Sequence, residues 1–167
     1  MLSACLVKED ILLGEKLDRG RTGKLGRELE RCNRNLLELK RESARYRVLP
    51  DVNLLASNLL GVMGELEVFL EEEKEFPERE LVLQFYFDLR HFLNMHDGLD
   101  DHYRIYTELG EDGNFRLYLF CIDPSRCLNA CLEKGIAGIF FSATLIPVMY
   151  YKKLLSGNPE DFAVYAN

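Results

Sequence analysis

The chain has no tryptophan, only five prolines and three histidines, and no apolar run near the length of about eighteen residues that spans a bilayer. Its start, Met1-Leu2-Ser3-Ala4-Cys5, lacks a basic stretch followed by a long apolar core, so no secretory leader is expected. Cysteine is odd in number, at five, and without the spacing of a small disulfide scaffold. A reduced, cytoplasmic setting and no membrane partner are therefore expected. Positive charge is the minority, 21 Lys/Arg against 28 Asp/Glu for a net of −7. That excludes a globally basic nucleic-acid binder and leaves room for a locally basic surface. A phosphate loop of the form Gly-x-x-x-x-Gly-Lys-(Ser/Thr) is also missing. Gly20-Arg21-Thr22-Gly23-Lys24-Leu25 has the wrong spacing, lacks the hydroxyl residue and follows no strand.

What is present reads as an ordinary globular chain: 47% hydrophobic and 29% charged, over 167 residues. Charge is unevenly spread. From Lys16 to Arg47 there are eleven Lys/Arg and five Asp/Glu, a net of +6, so the remainder carries −13. Much of that lies in Glu65, Glu67, Glu71, Glu72, Glu73, Glu75, Glu78 and Glu80, a block most simply read as a solvated helix face.

Four helices are expected in the first 97 residues. The first covers about Lys8 to Asp18 and the second about Lys24 to Arg45. Leu25, Leu29, Cys32, Leu36, Leu39 and Ser43 recur there in steps of three and four, the period of one helical face. Lys24, Arg27, Arg31, Arg34, Arg41 and Arg45 step likewise, roughly 150° away around the helix at about 100° per residue. A third helix opens at Pro50 with Leu54, Leu55, Asn58, Val62, Leu66, Phe69 and Leu70 inward. The fourth takes Pro77 early and ends near Asp97-Gly98. Short links between such helices suggest a bundle.

After Gly98 the period changes. Tyr103–Thr107 and Phe115–Cys121 alternate around a polar turn and predict a hairpin. Asp123-Pro124 starts a helix to about Lys134, Ile136–Phe141 reads as a strand buried on both faces, and Pro147 starts a helix to about Leu155. A last short strand is expected over Phe162–Tyr165. The fold class is thus α+β, helix-dominant: a four-helix bundle over 1–98, then a small sheet with two flanking helices over 99–167. A strand buried on both faces needs more neighbours than this region offers, so it reads as part of a larger α/β domain.

Leu117-Tyr118-Leu119-Phe120-Cys121-Ile122-Asp123-Pro124-Ser125 leads through a helix into Ile139-Phe140-Phe141-Ser142-Ala143-Thr144-Leu145-Ile146-Pro147. This run resembles the stretch around motif III in the XPD/DinG family of superfamily-2 DNA helicases. There a Cys-Leu-Asp-Pro-Ser-like turn, a helix and an apolar strand precede Ser-(Ala/Gly)-Thr-Leu-x-Pro. Tyr150–Gly157 resembles the helix that follows in bacterial members, while Ile146 departs from the serine often found before the proline. Leu2–Asp10 resembles, more weakly, the sequence after the family's Asp-Glu-Ala-His box. On that resemblance the first four helices are the arch domain, and the chain is a segment of a 5′-to-3′ ATP-dependent DNA helicase of DNA-repair type.

The resemblance implies that Ser142, Ala143 and Thr144 couple hydrolysis to unwinding without being hydrolytic groups. It implies ATP and Mg²⁺ as cofactors of the parent. This segment has neither the phosphate loop nor the Asp-Glu-Ala-His box, so it is expected to have no ATPase activity of its own. Family members with a 4Fe–4S cluster place its cysteines upstream of that box, so Cys5 and Cys32 do not inherit the role. The spacing of Cys121, Cys127 and Cys131 fits no standard metal pattern, and small buried apolar residues on a helix's inner face is the favoured reading. His91, His96 and His102 are spaced against a shared metal, and Asp97, Asp100 and Asp101 lack a Ca²⁺-loop pattern.

Two readings of the basic stripe stay open. One is a solvated face partly neutralised by Glu28, Glu30, Glu38 and Glu42. The other is a lining for single-stranded DNA, with Lys24, Arg27, Arg31 and Arg34 on phosphates. A rival for the whole chain is a non-enzymatic helical protein-interaction module, and the chain alone is expected to be a monomer or weak dimer.

Overall fold

Side-chain alternation and long-range pairing, more than local propensity, decide where this chain becomes strand. The computed structural model describes residues 3–11, 23–136, 138–142, 144–156, 158 and 160–161. The elements run β1 (Ala4–Val7), α1 (Lys8–Ile11), α2 (Gly23–Glu42), β2 (Tyr46–Leu49), α3 (Asn53–Glu72), α4 (Arg79–Asp97), β3 (Tyr103–Leu109), β4 (Phe115–Cys121), α5 (Ser125–Leu132) and α6 (Val148–Leu155). The protein is α+β with helix dominant. It forms two compact units, Met1–Phe120 and Cys121–Asn167, so the expected boundary at Gly98 falls inside the first.

In the first unit the four strands form one antiparallel sheet in the order β1-β4-β3-β2. Cys5 lies opposite Tyr118 and Leu6 opposite Leu117, while Val48 lies opposite Tyr106 and Tyr46 opposite Glu108. Directly opposed residues share a face. Ala4, Leu6, Ile105, Phe115, Leu117 and Leu119 are buried on one face and join a core with Leu29 and Leu36 of α2, Leu59 and Val62 of α3, and Leu89 and Phe92 of α4. Helix α2 packs on α3, α3 on α4, and β3 and β1 meet α2 and α4 respectively.

Strands β1 and β2 correct the expectation that the first 97 residues hold helices alone. Each is four residues long, too short to establish a period. Each is made a strand by a partner more than fifty residues away in sequence. Helix α2 stops at Glu42 instead of Arg45 for the same reason: the Leu109 amide donates to the Arg45 carbonyl at 2.9 Å and draws that residue toward the sheet. There the Thr107 hydroxyl, fully buried, lies 2.8 Å from Ser43 Oγ, and Ser43 in turn donates to the Leu39 carbonyl at 2.7 Å. A buried hydroxyl is thus satisfied across the α2–β3 contact.

Local chemistry sets the other boundaries. The Asn53 amide donates to Asp51 Oδ1 at 3.1 Å ahead of α3, and Gly98 follows the last turn of α4. The hairpin turn closes through Gly110 N to Asn114 O at 2.9 Å, with Gly113 at φ 79°, a left-handed conformation suited to glycine.

The second unit holds α5 and α6, which pack on each other. The Ser125 amide donates to Asp123 Oδ1 at 3.0 Å and so starts α5. None of the unit's described residues is buried. The strand expected over Ile136–Phe141 is absent: the described residues there have no regular structure, and Ile139 and Phe141 are 87% and 89% exposed. A strand needs an edge to pair with, and none of the unit's other described residues supplies one. Cys127 is half-buried and Cys131 exposed, which corrects their reading as small core residues. The strand expected at 162–165, and most of the first expected helix, lie outside the described residues.

Candidate nucleic-acid interface

Helix α2 is a two-sided element. Leu25, Leu29, Cys32 and Leu36 are buried, while Lys24, Arg27, Arg31, Arg34 and Arg41 are exposed on the other side. The four cations expected to meet DNA therefore share one solvent-facing surface, but they are not equivalent. Arg31 Nη1 donates to Glu28 Oε2 at 3.0 Å, whereas Lys24, Arg27 and Arg34 make no ion pair among the described residues. The Glu28 carboxylate is largely covered because it lies against α3 at Gly61, where an added Cβ would stand 3.0 Å from Oε2. About two helical turns further along α2, the side chains of Asn35 and Asn58 join the two helices by a hydrogen bond. On the buried side, burial first and the Glu28 carboxylate second push the Cys32 thiol up to about 12. Such a thiol is inert at neutral pH.

The residues matched to motif III behave differently. Ser142 and Thr144 are exposed, their hydroxyl oxygens lie 3.0 Å apart, and the Thr144 amide donates to Ser142 Oγ at 3.2 Å. This is a local hydroxyl-capped turn, not the C-terminal end of a strand. Ala143 lies outside the described residues.

One surface escaped the sequence reading. The sheet face turned away from α2, α3 and α4 carries Tyr46, Tyr106, Tyr118 and Phe120. Tyr106 and Tyr118 stack with ring centroids 4.7 Å apart, and Tyr46 donates to Glu108 Oε1 at 3.2 Å. Burial chiefly, then the neighbouring Cys5 and Glu108, raises the Tyr118 phenol. Strand alternation at Tyr106 and Tyr118 was the available signal, but which face lacks helices depends on the register. Among the described residues no group of three or more His, Cys, Asp or Glu is placed to hold a metal ion. His91 Nε2 instead lies 3.1 Å from the Ser3 carbonyl.

No protein-family model matches the chain, and no curated protein matches it in sequence.

Proposed function

We propose that this chain is a segment of an ATP-dependent DNA helicase of the XPD/DinG kind, in which α2 faces a single DNA strand and Ser142–Thr144 belong to the coupling motif. The observation that carries the reading is the α2 surface: Lys24, Arg27 and Arg34, exposed opposite a buried apolar face and in no ion pair among the described residues. Phosphate recognition needs a line of exposed cations and little else. Support for the motor half comes from the ordered run Leu117–Gly157 and from a second unit with no buried described residue, as expected of a piece that packs against further structure.

In a helicase carrying this segment, ATP and Mg²⁺ bind on other parts of the motor. Ser142 and Thr144 supply hydroxyls that sense the nucleotide state through hydrogen bonds. Replacing both, Ser142→Ala with Thr144→Ala, should leave ATP hydrolysis largely in place while unwinding fails. Parallel loss of both activities with a lowered melting temperature would assign the pair a structural role instead.

The second reading, a non-enzymatic protein-interaction module, is favoured by the exposed aromatic sheet face around Tyr46 and Phe120. Absence of salt-dependent oligonucleotide binding by the chain would favour that reading.

A further inference from the structure

Within the strand-facing reading of α2, on which this step rests, we infer that only Lys24, Arg27 and Arg34 engage phosphates, and that Glu28 withholds Arg31 from the strand. Lys24 to Arg34 spans ten residues, about 15 Å along the helix at about 1.5 Å per residue. Glu30 and Glu38 are exposed on the same helix, and Glu38 lies one turn beyond Arg34 and separates it from Arg41, so the uninterrupted positive stretch ends there. Arg31 lies inside the stretch, yet its guanidinium is turned to Glu28 at 3.0 Å.

That surface pair is open to solvent mainly on its Arg31 side. Glu28 has 23% side-chain exposure against 56% for Arg31, because the carboxylate is seated over Gly61 of α3. Any larger residue at 61 would crowd it. A covered carboxylate loses more than an exposed one when its cation leaves, while a phosphate contact in solvent is screened. Arg31 therefore stays with Glu28, and Glu28 acts as a positioning residue that sets the number of phosphate contacts.

The test is fluorescence anisotropy of labelled oligothymidylate titrated with the 167-residue chain across salt. Three contacts at about 0.7 each give a log–log slope of about −2.1, or an eighteenfold loss, roughly, between about 50 and 200 mM salt. Lys24→Gln, Arg27→Gln and Arg34→Gln should each make the slope shallower by about 0.7. Arg31→Gln should leave it unchanged. Glu28→Gln keeps the side chain's shape and frees Arg31, so the slope should steepen to about −2.8. The double variant Glu28→Gln/Arg31→Gln should return to the wild-type slope. A steepening that persists in the double variant would mean that simple loss of negative charge is at work, and would overturn the inference. So would an Arg31→Gln loss equal to that of Arg34→Gln, with the strand-facing reading left standing. No salt-dependent binding by the wild-type chain would overturn that reading and the inference with it.

Discussion

Two glycines of α3 make a paired test of how α2 and α3 meet. Gly61 and Gly64 both sit inside the helix, where glycine costs about 1 kcal/mol relative to alanine. At Gly64 an added Cβ meets nothing within 4 Å, so Gly64→Ala should stabilise the fold by about 1 kcal/mol. At Gly61 the same Cβ would stand 3.0 Å from Glu28 Oε2, 3.4 Å from Cδ and 3.7 Å from Cγ. The carboxylate ends a flexible side chain and can retreat by a few tenths of an ångström, but its bond to Arg31 weakens as it does. An exposed ion pair contributes about 0.2–1 kcal/mol, so Gly61→Ala should gain only about 0–0.8 kcal/mol. Urea unfolding followed by far-ultraviolet circular dichroism reads both changes as midpoint shifts at constant slope. An equal or larger gain at Gly61 would mean that Glu28 does not rest there. A net loss of more than about 1 kcal/mol would mean that the carboxylate cannot move, as expected of a much stiffer contact.

Five further outcomes are expected. Leu117→Ala, at a fully buried position on the helix-facing side of the sheet, should cost about 2–5 kcal/mol. Ile139→Ala should change stability by no more than about 0.5 kcal/mol, and a larger loss would mean that this segment is packed. The folded state holds the Cys32 proton more tightly than the unfolded chain, whose thiol titrates near 9.0. Its contribution to stability is therefore complete below pH 9.0 and lost as pH rises toward about 12, so Cys32→Ala should show a shallower alkaline decline. A thiol reagent at neutral pH should modify exposed Cys5 and Cys131 well before Cys32; early labelling of Cys32 in the native state would contradict its burial. Finally, the purified chain should turn over no ATP, with or without single-stranded DNA, and DNA-stimulated turnover would falsify the proposed division of labour.

The two faces of α2 were legible because Leu25, Leu29, Cys32 and Leu36 repeat at the helical period, and a local period survives whatever the helix packs against. The hairpin was legible too, since β3 and β4 carry both their alternation and their turn within twenty residues. Strand β2 was not, because nothing in Tyr46-Arg47-Val48-Leu49 identifies Ile105–Glu108 as its partner. Ile136–Phe141 failed in the opposite sense. Its apolar run describes what such a segment does when strands lie on both its edges, and no strand pairs with it among the described residues of its unit. At the candidate interface the type and spacing of the cations were readable, but their inequality was not. Glu28 is four residues from Cys32 and three from Arg31, yet what distinguishes it is a glycine on another helix.

Photocrosslinking of oligothymidylate to the chain, followed by mapping of the modified peptides, tests the central claim most directly. Crosslinks concentrated within Gly23–Glu42 and suppressed by Arg27→Glu with Arg34→Glu are the predicted result. Crosslinks confined to the aromatic sheet face or to the acidic stretch Glu65–Glu80, unaffected by those reversals, would contradict a strand-facing α2.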